Sequence, residues 1–280
     1  MNGRFITENV IAKFENHLTM GERSTATVEK YIRDARTFAR FIGGSSISKA
    51  TVIAYKKHLQ INYAVRSVNS MLASINNLFS YLEWHDLKVK SLKLQQQVFC
   101  PEEKELTRAE YTRLCRVAKR KHNGRLNLVL QTICGTGIRV SELQYITVEV
   151  VRSGEAIVHC KAKTRLVFVV KELKEKLLRY AAEQGIKNGM IFITRTGKPI
   201  SRINIWREMK ALCKEANVDP RKVFPHNLRH LFARVFYGIE KDIAKLADIL
   251  GHSSINTTRI YIISTGTEHR RCLENMRLII

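Results

Sequence analysis

The segment Gly135-Thr136-Gly137-Ile138-Arg139-Val140-Ser141-Glu142-Leu143 admits two readings. A Gly-x-Gly ahead of a helix can cradle a phosphate. This one lacks a third glycine and a preceding apolar β-run, and it does not end in Gly-Lys-Ser/Thr, so it is weak as a nucleotide fingerprint and is no P-loop. The other reading is mechanical. The glycines let the backbone turn so that Arg139 points into a cavity, with Glu142 one helical turn on and beside it.

Three further segments bear on the choice. Lys161 and Lys163 sit in a tight basic turn between the short strands expected at 155–159 and 165–170. They are either solvated surface or groups able to reach a bound substrate from the side. In Pro225-His226-Asn227-Leu228-Arg229-His230, the proline marks a helix start and puts His226 and Arg229 on one face. His226 and His230, at i and i+4, have metal-ligand spacing, but Asn227 stands where a zinc protease needs a glutamate, and Arg229 would repel a cation. Leu250-Gly251-His252-Ser253-Ser254-Ile255-Asn256-Thr257-Thr258-Arg259-Ile260-Tyr261 reads as the end of a helix from about Asp242, a turn, and a short helix capped by Ser253 or Ser254. Alone it resembles a helix-turn-helix, and Tyr261 alone would be a core aromatic.

Composition narrows the partners. The chain has 280 residues, 48 Lys and Arg against 25 acids, and a net charge of +23. Both parts are basic, +7 over residues 1–100 and +16 over 101–280. With 45% apolar residues the chain can fold, so the charge lies on folded surfaces and points to a polyanion, nucleic acid before an anionic membrane. No stretch approaches the ~18 apolar residues of a membrane span, and Met1-Asn2-Gly3-Arg4 opens no secretory signal. The six cysteines form no CxxC and no zinc-ligand set, and read as reduced structural thiols of a cytoplasmic protein.

The first hundred residues predict four amphipathic helices. Thr7 caps the first (Val10, Ile11, Phe14, Leu18 inward), and Ser24 or Thr25 opens the second (Val28 to Ile42), which Gly43-Gly44 ends. Ser48 caps the third (Val52, Tyr55, Leu59), and the fourth carries Val68 to Leu82. Lys30, Arg33, Arg36, Arg40, Lys56, Lys57 and Arg66 fall on the outward faces, as candidate phosphate contacts or as a solvated surface. Residues 97–106 lose periodicity and read as a linker. Thr107 caps a helix through Ala118; 127–135 and 140–145 look helical, Phe192–Thr194 is a possible third strand, and helices dominate from Asn204.

Taken together, two arginines, a lysine, two histidines and a tyrosine fit attack on a phosphodiester without a metal ion. Arginine forks can hold the non-bridging oxygens and stabilise the extra negative charge of a pentacoordinate phosphate. A phenol, with an ordinary pKa of about 10, is a poor nucleophile at neutral pH, but nearby cations favour its anion and a histidine can take the proton. A lysine can protonate the departing 5′-oxygen, and the product is a covalent phosphotyrosyl bond.

At this point the chain resembles the tyrosine recombinases, the family of phage integrases and Xer-type recombinases, over nearly its whole length. Gly135–Leu143 matches the first-arginine box, His226–His230 the His-x-x-Arg box, and Leu250–Ser254 the next, with Tyr261 nine residues after His252. The resemblance implies Tyr261 as nucleophile, Arg139 and Arg229 as phosphate clamps, His226 as proton acceptor and donor, His252 as a phosphate hydrogen bond, and Glu142 as support. It implies Lys161 as general acid with Lys163 as rival, and no metal or cofactor. Cys160-Lys161-Ala162-Lys163-Thr164-Arg165 departs from the common Gly-Lys-Gly-x-Lys-x-Arg, being one residue shorter and without glycines, and Leu231 replaces a common threonine.

The implied fold is α-rich with two domains: an all-α four-helix core-binding domain over 1–97, a linker at 98–106, and a mainly α catalytic domain with a small antiparallel β-sheet over 107–280. The two would close on DNA as a C-shaped clamp. Four protomers would assemble on two short inverted-repeat sites and exchange strands through a Holliday junction, with an accessory protein as a further partner. A tail helix (Leu273, Met276, Ile279, Ile280) would pack on its own domain or on a neighbouring protomer. With the first helix near residue 7 there is no room for an arm-site domain. The expected setting is bacterial-type, cytoplasmic and DNA-associated. A type IB topoisomerase uses similar chemistry, but the Xer-like N-terminal half and short tail argue against it. A non-catalytic regulator built on 242–261 would bind DNA without Tyr261 and form no adduct.

Overall fold

The computed structural model describes residues 3–93, 105–160, 163–261 and 274–276. The chain divides into two compact units, Met1–Gln96 and Gln97–Ile280. Among its described residues the first holds four α-helices, α1 (Glu8–Met20), α2 (Thr25–Ile42), α3 (Lys49–Asn62) and α4 (Val65–Tyr81), and a 3₁₀ turn at His85–Leu87. Their ends are set locally. Thr7 accepts from the Val10 N–H, Ser48 and Thr51 form a capping box, and Gly43 closes α2 in the left-handed region.

The apolar faces meet around Phe38, whose ring lies 4.9 Å from Tyr55 and 5.9 Å from Phe79. Each fully buried large side chain contributes about 1.5–3 kcal/mol. Asn69 and Asn76, two helical turns apart on α4, each pair with one backbone residue of the following segment. Asn76 bonds both polar groups of Val89, and Asn69 those of Leu92, at 2.7–3.0 Å. Side-chain amides thus fasten an extended segment that has no strand partner there.

The second unit is built on α6 (Gly124–Thr136), which packs against α5 (Arg108–Arg120), α8 (Lys171–Glu183), α9 (Arg202–Ala216) and α10 (Pro225–Glu240). Its residues Leu126, Leu128, Val129, Leu130 and Ile133 are all buried, as a helix enclosed on several sides requires. A 3₁₀ turn (Val140–Tyr145) and the short α7 (Val148–Ser153) lead into a two-stranded antiparallel sheet, β1 (Glu155–Cys160) and β2 (Lys163–Phe168). The register runs from Glu155 opposite Phe168 to Cys160 opposite Lys163. Ala156, Val158 and Val167 face inward, while Ile157, Leu166 and Phe168 face solvent. α11 (Ile243–Leu250) and α12 (Ile255–Arg259) complete the described elements.

The third strand expected at Phe192–Thr194 is not formed. Ile193 makes one bridge to Pro199, flanked by bonds from the Thr194 N–H to the Lys198 carbonyl and from the Ile200 N–H to the Phe192 carbonyl, across a turn in which Gly197 adopts a φ of +75°. The helical stretch expected at 140–145 is a 3₁₀ helix over those same residues. Of the expected tail helix, only Glu274–Met276 is described, with Met276 exposed. Leu273, Ile279 and Ile280 lie outside the described residues.

Candidate active site

α10 begins at Pro225, where a missing N–H costs nothing. One turn in, Arg229 is only 1% exposed. One of its terminal nitrogens donates to the Gly137 carbonyl at 2.5 Å; the other donates to the Leu250 carbonyl at 2.6 Å and to His252 Nε2 at 3.0 Å. Gly137 is the C-cap of α6 and Leu250 the last residue of α11. Carbonyls at helix C-termini lack intrahelical donors and sit at the negative dipole end, which suits a buried cation. Burial, with Arg139 nearby, lowers the Arg229 pKa to about 10, so it stays charged at neutral pH.

Gly137 turns the chain at the end of α6, as the mechanical reading of its motif expects. Its φ is +66°, its carbonyl receives Arg229, and a Cβ there would come to 2.5 Å from Phe232 Cδ1. The glycine caps α6 and gives α10 clearance.

The chain leaves this cap at Arg139. Arg139 donates from its backbone N–H to Glu142 Oε2 at 2.7 Å and from its guanidinium to Oε1 at 2.8 Å. Glu142, 1% exposed, also accepts from Arg165 at 2.6 Å. Burial alone would raise the Glu142 pKa. The Arg139 N–H bond and the Arg165 charge outweigh it and hold the carboxyl below its ordinary value. One carboxylate among three guanidiniums leaves a surplus of positive charge.

That charge acts on the histidines. His226 is held below its ordinary pKa by burial, then by Arg229, Arg139 and Arg202. His252 is lowered to about 4 by burial and by Arg229, Arg139 and Arg165; His230 is lowered to about 4 by burial, His226 and nearby arginines. His230 and His252 are therefore neutral at pH 7, and the same shift favours the neutral form of His226, which can accept a proton. All three surround Tyr261. Its ring lies 4.2 Å from His230, 5.3 Å from His252 and 5.5 Å from His226, and its hydroxyl is 3.5 Å from His226 Nε2, the outer limit of a hydrogen bond. α12 delivers the tyrosine: Ser254 caps it, the Tyr261 N–H bonds the Thr258 carbonyl, and the Thr258 hydroxyl lies 2.9 Å from His252 Nδ1.

The structure thus brings together Arg139, Glu142, His226, Arg229, His252 and Tyr261. Lys161 lies outside the described residues; Lys163 is the first residue of β2, and its side chain is not described. In the first unit Arg33, Lys57 and Arg66 are exposed, Arg36 pairs with Glu8 at 3.5 Å, Arg40 donates to Thr37, and Lys56 donates to the Lys90 carbonyl. Lys30 departs from the outward-facing expectation. It donates to Asp34 Oδ2 at 2.6 Å, Ser74 Oγ at 2.9 Å and the Ser70 carbonyl at 3.0 Å, so its charge is committed to a half-buried network joining α2 and α4. Among the described residues, no three His, Cys, Asp or Glu side chains group as metal ligands. None of the described helices is long and apolar enough to cross a membrane.

Three site residues escaped the sequence reading. His230 was visible only as a metal-ligand spacing. Arg165 was part of the lysine-turn pattern with no role. Thr258 carried no signal, since a buried hydroxyl on a five-residue helix looks like any surface threonine.

The model of the phage integrase family matches residues 104–268, more than half of the chain, and the chain belongs to that family. It is a tyrosine recombinase, a site-specific DNA recombinase. It is 28% identical over 285 residues to tyrosine recombinase XerA of Thermococcus kodakarensis, with 96% of each chain covered. It is 26% identical over 269 residues to XerD of Halalkalibacterium halodurans, covering 88% of this chain and 90% of that one. A lambda integrase tetramer bound to a Holliday junction shares the fold, with a TM-score of 0.76, 17% identity, and coverage of 93% of this chain and 78% of that one.

Proposed function

We propose that this recombinase cleaves and rejoins DNA through a 3′-phosphotyrosyl intermediate and a Holliday junction, as a tetramer on two short inverted-repeat sites. The observation that carries the reading is the Tyr261 hydroxyl facing neutral His226 at 3.5 Å, beside buried, charged Arg229. Tyr261 Oη attacks the phosphorus and its proton passes to His226 Nε2. Arg139 and Arg229 hold the non-bridging oxygens, where charge grows in the transition state. The bond to the 5′-oxygen breaks, and a lysine of the β1–β2 turn, Lys161 or Lys163, protonates that oxygen. Attack by a 5′-hydroxyl of the partner strand reverses each step and releases Tyr261.

His252 enters with a constraint. Its Nε2 accepts from Arg229, so donating to phosphate requires the arriving oxygen to take over the Arg229 N–H and the imidazole proton to move to Nε2. Glu142 holds Arg139 throughout. Residues 1–97 serve as the core-binding domain, with Arg33, Arg36, Arg40, Lys56, Lys57 and Arg66 as phosphate contacts, 98–106 as linker, and 107–280 as the catalytic domain. The net charge of +23 and the lambda integrase tetramer on a junction support this assembly. The tail docks on a neighbouring protomer, and an accessory protein is a further partner.

The test is a nicked duplex, enriched from a randomised library for binding to this chain, incubated with wild type and with Tyr261→Phe in EDTA. The reading expects an EDTA-resistant protein–DNA adduct from wild type alone. Binding by both proteins with an adduct from neither would return the chain to a DNA-binding regulator.

A further inference from the structure

Arg165 lies inside this site, yet the chemistry above leaves it without a part. It stands on β2 with its side chain 9% exposed. Its guanidinium joins three elements: one terminal nitrogen donates to Glu142 Oε2 at 2.6 Å, and the other to the Ile249 carbonyl in the last turn of α11. Its Nε is buried without a hydrogen-bond partner among the described residues.

A second, independent feature is shaped around it. Gly251, the α11 C-cap, has a φ of +65°, and a Cβ on it would overlap Arg165 Cδ and approach Nε at 3.1 Å. The glycine that ends α11 is therefore also the gap through which Arg165 passes. The next residue is His252, and the carbonyl before Gly251 holds Arg229.

As a stabiliser Arg165 is poorly chosen. A buried guanidinium with an unused donor is costly, and a well-packed apolar side chain would fill such a place at least as well. What it supplies is registry. Glu142 keeps both of its bonds to Arg139 without Arg165, and Arg229 keeps its own carbonyls. The hairpin, with Ile157, Leu166 and Phe168 facing solvent, loses its polar tie to both when Arg165 is removed.

We propose that Arg165 is a positioning residue that holds the β1–β2 hairpin in register with the arginine–histidine cluster, so that an acid carried by the hairpin meets the departing 5′-oxygen. This rests on the reading of the site as a phosphotyrosyl-transfer centre. Misplacement of a reacting group by about 1 Å costs on the order of 10²-fold. That loss should fall on protonation of the leaving group alone.

The experiment uses the full chain and a duplex selected from a randomised library by covalent capture on wild type. Once the scissile phosphate is mapped, the duplex is made with its ordinary 5′-oxygen and with a bridging 5′-sulfur. The sulfur leaves as a thiolate when the P–S bond breaks and needs no proton. Arg165→Met is expected to slow adduct formation on the oxygen substrate by about 10²-fold and to recover to within a few-fold of wild type on the sulfur substrate. Arg165→Lys should fall between. Gly251→Ala, which pushes Arg165 aside, should show the same sulfur rescue. Thermal melts and DNA binding identify a variant that fails to fold, in which case Arg165→Lys and Gly251→Ala carry the test. Equal loss on both substrates overturns the proposal, because the defect then lies in the clamps or the nucleophile. Wild-type rates on both also overturn it. If wild type captures no DNA, the reading of the site fails, and the proposal with it.

Discussion

Arg229 donates to His252 Nε2 at 3.0 Å while the Thr258 hydroxyl lies 2.9 Å from His252 Nδ1. A guanidinium has no acceptor, so this pair assigns His252 as the neutral tautomer with its proton on Nδ1, donating to Thr258. The pH dependence follows from this. His252 and His230 titrate near 4 in the folded chain and near 6.5 when unfolded. Between those values the unfolded chain binds protons that the folded chain does not, so stability falls as pH drops through that window. The melting temperature should be lower at about pH 5 than at about pH 7, and His230→Phe should flatten the slope. A melting temperature constant across the window would contradict the neutral cluster.

Glu142 is the one carboxylate between Arg139 and Arg165. Glu142→Ala leaves two cations facing an empty, buried position, at a cost of about 3–5 kcal/mol. Glu142→Gln keeps an acceptor and should cost less. Urea unfolding of both variants beside wild type measures this, and a Glu142→Gln variant as stable as wild type would show that the charge of Glu142 is not what matters.

How much of this could be read beforehand depended on how local each signal is. Thr7, Ser48 and Thr107 cap helices where their sequence positions predict, because a cap is decided by a few adjacent residues. Helix α8 was not read from the sequence, although Leu173, Leu177 and Ala181 recur at helical spacing. The residues that meet around Tyr261 were named from the motifs they share with relatives, since no local pattern joins Arg139 to Arg229. Arg165, His230 and Thr258 needed the fold itself, because their partners lie on other elements or across a turn. Lys30 was misread for the same reason: its helix-face position looks outward, but Ser70 and Ser74 of α4 close over it.

Lys30 and Lys57 should therefore behave differently. Lys30→Met removes the cation from Asp34, which is 4% exposed, and should destabilise the chain by about 1–3 kcal/mol. Lys57→Ala should leave stability within about 0.5 kcal/mol and reduce the slope of log K against log salt for DNA binding by about 1. Titrations across a salt series with both variants separate the two. A stable Lys30→Met with a reduced slope would make Lys30 a phosphate contact after all.

Gly137→Ala joins two penalties. A left-handed backbone costs an alanine about 1 kcal/mol, and overpacking against Phe232 adds about 1–3 kcal/mol. The Gly137 carbonyl also holds Arg229, so the variant should lose adduct formation beyond its loss of stability. An alanine variant with wild-type unfolding and cleavage would refute the account of this glycine as cap and clearance.

The most direct test of the central claim is to locate the covalent bond. Wild type trapped on its selected duplex would be digested with nuclease and protease, and the modified peptide read by mass spectrometry, with the freed DNA end tested for labelling by polynucleotide kinase. The account predicts a nucleotide 3′-phosphate on Tyr261 and a free 5′-hydroxyl on the departing strand. A nucleotide on any other residue, or a 5′-phosphate on the departing strand, would contradict it.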